Sequence, residues 1–172
     1  MKLKGLIPAV FTPMKENGSL NLDKVDAVVE HLLFDKVSGI YVCGSTGEGS
    51  SLSVEERMAT ALAYVSAVNK RIPVIVHVGH NSLVEARNLA THAQKIGADA
   101  IAAVPPSYFK INSIEKLVDC AAEVASAVPE MPFYYYNIPS LTGVEFDMVE
   151  FIQLGAKRIP NFVGIKYSSQ NV

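Results

Sequence analysis

The fold class is decided by two apolar runs, VIVHV at Val74–Val78 and AIAAV at Ala100–Val104, and by the segment between them. Runs that are apolar at consecutive positions are typical of parallel strands covered on both faces. The segment from Ser82 to Ile96 has helical periodicity, and Gly97 follows it in the position that ends a helix. The stretch therefore predicts a strand–helix–strand unit with parallel strands.

The same unit recurs along the chain. Apolar runs begin near Leu6, Ile40, Val74, Ala100, Phe133 and Phe162, at a mean spacing of about 31 residues. Helices are predicted at 22–35 and 82–96 and from Asp147 to Gly155. Another is predicted to begin at Ser53, where Glu56 completes a capping box. A further helix is predicted to begin after an Asn112 cap and to end near Pro129. This alternation predicts an α/β fold with a parallel sheet. A doubly wound open sheet and a (β/α)₈ barrel both fit, and the length of 172 residues favours the open sheet, because a barrel typically takes about 250.

Charge and apolar content exclude several classes of protein. The chain has 15 Lys and Arg against 17 Asp and Glu, a net charge of −2, and 49% of its residues are hydrophobic. Disordered chains combine low hydrophobicity with high net charge, and nucleic-acid binders carry basic patches, so neither class fits. No apolar run approaches the roughly 18 residues that span a membrane. Two cysteines suit a reducing compartment, so we expect a cytoplasmic protein with neither nucleic acid nor membrane as a partner.

A glycine-rich turn follows the second run, at the strand end where ligands of parallel α/β folds gather. Residues 44–50 read GSTGEGS. Exposed N–H groups and the hydroxyls of Ser45 and Thr46 are suited to hold a carboxylate or a phosphate. A dinucleotide site is disfavoured because the glycines are not in the order G-x-G-x-x-G, and a purely structural turn stays an alternative.

Other residues near strand ends favour structural roles. His77 and His80 have no nearby cysteine or carboxylate to complete a metal site, so hydrogen-bonded histidines are expected. Cys43 has no sequence sign of a base beside it and is expected to be a buried thiol. The aromatic loop with Tyr108 is either a substrate wall or a packed loop.

The last two runs end in residues that can carry acid–base and covalent chemistry. Period-two alternation places Tyr134 and Tyr136 on one face of a strand and Tyr135 on the other. Lys166 lies in line with strand residues, where desolvation favours a neutral amine that can attack carbonyls. Three core tyrosines and a solvated edge lysine are the alternatives.

Three motifs, GSTGE at 44–48, YNIP at 136–139 and GIK at 164–166, resemble the N-acetylneuraminate lyase and dihydrodipicolinate synthase superfamily of class I aldolases. The resemblance covers essentially the whole chain and implies a (β/α)₈ TIM barrel followed by further helices, in place of the open sheet. Residues 1–172 would be the N-terminal portion of a single barrel domain, covering about its first six βα units. We expect the last two units to come from a continuation or a second chain.

The resemblance also implies site residues. Lys166 would form a Schiff base with the keto carbon of the substrate, and Tyr136 would relay the proton of the hydroxyl that becomes an aldehyde. Ser45 and Thr46 would hold the substrate carboxylate. Tyr108 would reach into a neighbouring subunit's site in a homotetramer, and neither a cofactor nor a metal is implied.

Leu141 bears on the branch of the superfamily. Residues 139–143 read PSLTG, whereas synthases usually carry an arginine at the third position. With HVG at 77–79 and FYYY at 133–136, this resembles the lyase branch, which cleaves N-acetylneuraminate to N-acetylmannosamine and pyruvate. The alternatives are 4-hydroxy-tetrahydrodipicolinate synthase, another pyruvate-dependent aldolase, and, in another class, a non-catalytic ligand-binding scaffold.

Overall fold

A computed structural model describes residues 3–169, in which five strands alternate with helices. The strands are β1 (Ile40–Val42), β2 (Val74–His77), β3 (Ala100–Ala103), β4 (Phe133–Asn137) and β5 (Phe162–Tyr167). The helices are α1 (Val25–Phe34), α2 (Val54–Val68), α3 (Leu83–Lys95), α4 (Ile114–Ala125), α5 (Pro139–Thr142) and α6 (Met148–Arg158), with a 3-10 turn at Leu22–Lys24 before α1. The predicted alternation of strands and helices is confirmed.

The chain divides into two compact units. The first comprises Met1–His77 and His92–Ala100, and the second comprises Val78–Thr91 and Ile101–Val172. Within residues 3–169, no helix combines the length and the apolar character needed to cross a membrane.

The first unit is built on the parallel pair β1 and β2. Ile40 lies opposite Val74, and Val42 lies opposite Val76. All residues of both strands are buried. Burial on both faces is the reason why these runs show no alternation of apolar and polar residues.

The run that begins near Leu6 does not form the predicted strand, and this prediction is wrong. Ala9 makes an isolated parallel bridge to Tyr41. Tyr41 N donates to the Pro8 carbonyl at 2.9 Å, and Val10 N donates to the Tyr41 carbonyl at 3.0 Å. Because proline has no N–H to donate, Pro8 cannot continue a ladder along β1.

The second unit is built on β4, which pairs in parallel with both β3 and β5. Phe151 of α6 is fully buried. Its ring lies 4.2 Å from that of Tyr135 on β4 and 5.9 Å from that of Phe162 on β5, measured between centroids. These contacts define the face of β4 and β5 that α6 covers.

Helix starts follow the predicted caps with one exception. Ser53 and Glu56 form the predicted capping box of α2, and Asp147 caps α6. The Asn112 cap is wrong by one residue, because the Ser113 side chain accepts the N–H of Lys116. Helix α4 also ends at 125, before the predicted end near 129, and α5 was not predicted.

Candidate active site

Strand β4 presents its tyrosines to two different faces. Tyr135 is buried against Phe151, on the face that α6 covers. Because side chains alternate along a strand, Tyr134 and Tyr136 lie on the opposite face. The contacts of Tyr135 with Phe151 and of Tyr136 with Lys166 agree with the predicted division of the three tyrosines.

A register shift on β5 brings Lys166 to the same face as Tyr136. Phe133 pairs with Phe162, but Tyr134 pairs with Gly164, so β5 has one extra residue between these pairs. Such a bulge reverses the phase of the alternation beyond it. Phe162 faces α6, whereas Gly164 and Lys166 lie opposite Tyr134 and Tyr136.

Gly164 is the residue at which regular pairing with β4 resumes after the bulge. Its φ is +157°, a backbone conformation that other residues rarely adopt. A Cβ built on it would lie 3.5 Å from the ring of Tyr134. The motif GIK thus combines a glycine that accommodates the bulge with a lysine two residues later on the same face.

The amine of Lys166 and the ring of Tyr136 are in direct contact. Nζ lies 3.6 Å from the ring centroid, within the range of a cation–π interaction. Tyr136 is buried, with 4% exposure, and Lys166 is half-buried. Nζ also lies 3.4 Å from the Ser168 hydroxyl, to which it donates. An amine and a phenol thus lie side by side at the carboxyl ends of neighbouring parallel strands.

The glycine turn after β1 has a closely packed backbone. A Cβ on Gly49 would lie 2.0 Å from the carbonyl oxygen of Cys43, so this position admits only glycine. The hydroxyl of Thr12, which sequence reasoning missed, donates to the Gly47 carbonyl at 2.7 Å. Ser45 and Thr46 are exposed on this turn, so their hydroxyls are accessible to a ligand.

A buried polar cluster joins Cys43, which precedes the turn, to Arg57 and His77. Cys43 Sγ donates to the Arg57 carbonyl at 3.6 Å. One guanidinium nitrogen of Arg57 donates to the His77 carbonyl at 2.7 Å and lies 3.3 Å from His77 Nδ1. Cys43 and His77 therefore have the structural roles predicted for them. In residues 3–169, no group of three or more His, Cys, Asp or Glu is arranged to hold a metal ion.

Arg57 is the residue of this cluster that sequence reasoning missed. Burial lowers the pKa of its guanidinium, and the neighbouring Cys43 and Tyr41 act in the opposite direction. Burial also raises the pKa of the Cys43 thiol to about 11. The signal that could have found Arg57 is its helical spacing from Ala61 and Tyr64, which share the buried face of α2.

The predicted site residues divide among three places. Lys166 and Tyr136 are in contact in the second unit. Ser45 and Thr46 lie on the glycine turn of the first unit. Tyr108 lies on the loop after β3 with 78% of its surface exposed. It is not a packed core aromatic.

Fold and site together define a class: a protein of alternating parallel strands and helices, with an amine and a phenol at the ends of two strands. The chain belongs to the Dihydrodipicolinate synthetase family, whose family model matches residues 2–172. This match and the solved structures below support the TIM-barrel type of fold, so the length-based preference for a doubly wound sheet is wrong.

Named relatives are similar over nearly the whole chain. N-acetylneuraminate lyase A of Xenopus laevis is 47% identical over 99% of this chain and 57% of its own length. The solved N-acetylneuraminate lyase of Proteus mirabilis is 37% identical with a TM-score of 0.96, over 99% of this chain and 58% of its own. The solved structure of a catalytic lysine mutant of Ruminococcus gnavus sialic acid aldolase is 33% identical to this chain, with a TM-score of 0.90. The match covers 98% of this chain and 54% of that structure's own chain. The chain thus spans little more than half the length of these relatives.

Proposed function

We propose that the protein is a Schiff-base aldolase that cleaves N-acetylneuraminate to N-acetylmannosamine and pyruvate. The observation that carries the proposal is the contact between the Lys166 amine and the Tyr136 ring on one face of β4 and β5. Relatives named for this activity support it, as does a solved relative in which a catalytic lysine was mutated.

Lys166 supplies the covalent step in this proposal. Its amine adds to the keto carbon of the open-chain sugar acid, loss of water leaves an imine, and the imine nitrogen then carries a proton. The imine accepts the electron pair of the carbon–carbon bond that breaks, which leaves an enamine. Protonation of the enamine and hydrolysis release pyruvate and regenerate the amine.

Tyr136 supplies the proton relay. As the bond breaks, the substrate hydroxyl beyond it becomes an aldehyde and must lose its proton. The Tyr136 phenol is the acid–base group in contact with the lysine, and its buried ring is held by β4. We propose that its oxygen accepts this proton while its own proton leaves to solvent, and that solvent returns one proton when the enamine is protonated.

Ser45 and Thr46 are proposed to bind the substrate carboxylate. Both side chains are exposed on a turn that close packing at Gly49 keeps in one backbone conformation. Two hydroxyls and adjacent N–H groups are suitable donors to a carboxylate.

Leu141 favours the lyase over the synthase. It lies on α5 with 67% of its surface exposed. An apolar side chain cannot make the paired hydrogen bonds that an arginine offers to an acidic substrate. The synthase is the second candidate, because the family to which the chain belongs is named for it.

The quaternary structure and location are proposed on separate grounds. The exposed Tyr108 suits contact with a neighbouring subunit, as in a homotetramer. Both cysteines, Cys43 and Cys120, are free, which suits a cytoplasmic location. That residues 1–172 belong to a single barrel domain stays a prediction.

Two assays of the natural gene product test the proposed function. The first measures pyruvate released from N-acetylneuraminate, and the second measures condensation of pyruvate with aspartate semialdehyde. We expect activity in the first assay, loss of it in Lys166→Ala, and retention in the control Lys116→Ala, whose side chain is exposed near Asp119. Condensation without cleavage would make the protein a synthase, and no activity in either assay would favour a non-catalytic scaffold.

A further inference from the structure

The loop that follows β3 holds two exposed aromatic rings in a defined arrangement. Tyr108 and Phe109 are 78% and 83% exposed. Their rings meet edge to face, with centroids 5.0 Å apart. The side chain of Asn81, which follows β2, and that of Lys110, which belongs to the loop, hold the backbone that carries them.

Asn81 holds this loop from one side. Its side-chain oxygen Oδ1 accepts the N–H of Ser107 at 2.9 Å and that of Tyr108 at 3.0 Å. One acceptor that binds two consecutive N–H groups fixes the peptide plane between them. This contact joins Asn81 to the loop and does not involve α5.

Lys110, a residue of the loop, contacts both the loop backbone and a second element. Its Nζ donates to the Ser107 carbonyl at 2.8 Å and to the Thr142 carbonyl at 2.8 Å. Thr142 is the last residue of α5. Its carbonyl therefore has no later helical N–H from which to accept a hydrogen bond. Free carbonyls at the end of a helix are common binding places for a lysine ammonium.

The segment that Lys110 contacts follows directly from β4. Tyr136 and Asn137 end the strand, and α5 begins two residues later. Within α5, the Thr142 hydroxyl donates to the Ile138 carbonyl at 3.1 Å, and Gly143 N donates to the Pro139 carbonyl at 2.8 Å. The turn is thus internally bonded, and Lys110 adds a contact from it to the aromatic loop.

We propose that Lys110 is a positioning residue that couples the Tyr108 loop to the turn after the Tyr136 strand. One ammonium bridges two carbonyls on different segments, so its loss removes their shared contact. The kinetic consequence rests on the proposed function: a loosened Tyr108 should lower turnover, whereas imine formation at Lys166 should not change.

Hydrogen exchange of the natural gene product tests the coupling without reference to activity. In Lys110→Met we expect amide exchange to rise about tenfold, the order expected for a lost hydrogen bond to a charged group, in both the 105–110 and the 139–143 peptides. Asn81→Leu should raise exchange in the 105–110 peptide alone. Lys110→Arg, which keeps the charge and several donors, should stay near wild type, as should the exposed control Lys116→Met.

Different results would refute the coupling by Lys110 and the proposed lyase function. Unchanged exchange in Lys110→Met, or a rise confined to the 105–110 peptide, would overturn the coupling even if the protein cleaves N-acetylneuraminate. Given that activity, we expect a lower kcat in Lys110→Met with undiminished pyruvate trapping at Lys166, and an unchanged kcat would overturn the positioning role. A wild-type protein without lyase activity would refute the proposed function, while the exchange results still decide the coupling.

Discussion

Replacing Tyr136 with phenylalanine removes one oxygen atom and keeps the ring against which the Lys166 amine lies. The ring is 4% exposed, and a buried hydrogen-bonded hydroxyl contributes about 1 kcal/mol to folding, so the variant should fold. If the phenol relays the proton during bond cleavage, its loss should slow cleavage by roughly 10²–10⁴-fold. This corresponds to about 2.7–5.4 kcal/mol in activation free energy.

The neighbouring tyrosines provide matched controls for this variant. Tyr134→Phe removes the same atom on the same face, opposite Gly164, and Tyr135→Phe removes it on the face covered by Phe151. Pyruvate release from N-acetylneuraminate should stay near wild type in both, and pyruvate trapping should persist in Tyr136→Phe. Near-normal cleavage by Tyr136→Phe, or an equal loss in Tyr134→Phe, would refute the assignment of the relay.

Three further predictions concern the first unit. Ser53→Ala removes the capping box of α2 and should cost about 1 kcal/mol of stability, seen as a lower Tm; an unchanged Tm would contradict the role of the cap. Gly49→Ala places a Cβ 2.0 Å from the Cys43 carbonyl oxygen, so it should distort the turn and raise KM, and an unchanged KM would contradict the role of the turn. Cys43, with its buried thiol and a pKa of about 11, should resist alkylation at pH 8 in the native protein, whereas rapid labelling there would show that the site is open.

Apolar patterning predicted the strands β4 and β5, but not how Tyr136 and Lys166 on them meet. Strict period-two alternation puts Phe162 and Lys166 on the same face of β5. The structure separates them, because a bulge before Gly164 reverses the phase. The only feature of the sequence that indicates an irregular strand here is Gly164, because a glycine inside a strand often marks a bulge. The contact between Lys166 and Tyr136 therefore depends on a pairing register that apolar patterning does not encode.

Other differences also have local physical causes. The run near Leu6 has the composition of a strand, but Pro8 lacks the N–H that a ladder needs. Arg57 was overlooked because a charged residue is rarely buried unless it is paired or hydrogen-bonded, and its acceptor is a backbone carbonyl of His77. The cap was predicted correctly at Ser53, and it failed by one residue where Asn112 precedes Ser113 and either side chain can act as a cap.

Borohydride reduction in the presence of pyruvate, followed by peptide mapping, tests the central claim most directly. The Lys166 amine should form an imine with the ketone, and reduction should fix the adduct on that residue and on no other lysine. Lys166→Ala should abolish the adduct, while Lys116→Ala should retain it. An adduct on a different lysine, or none in a folded wild-type protein, would contradict the account.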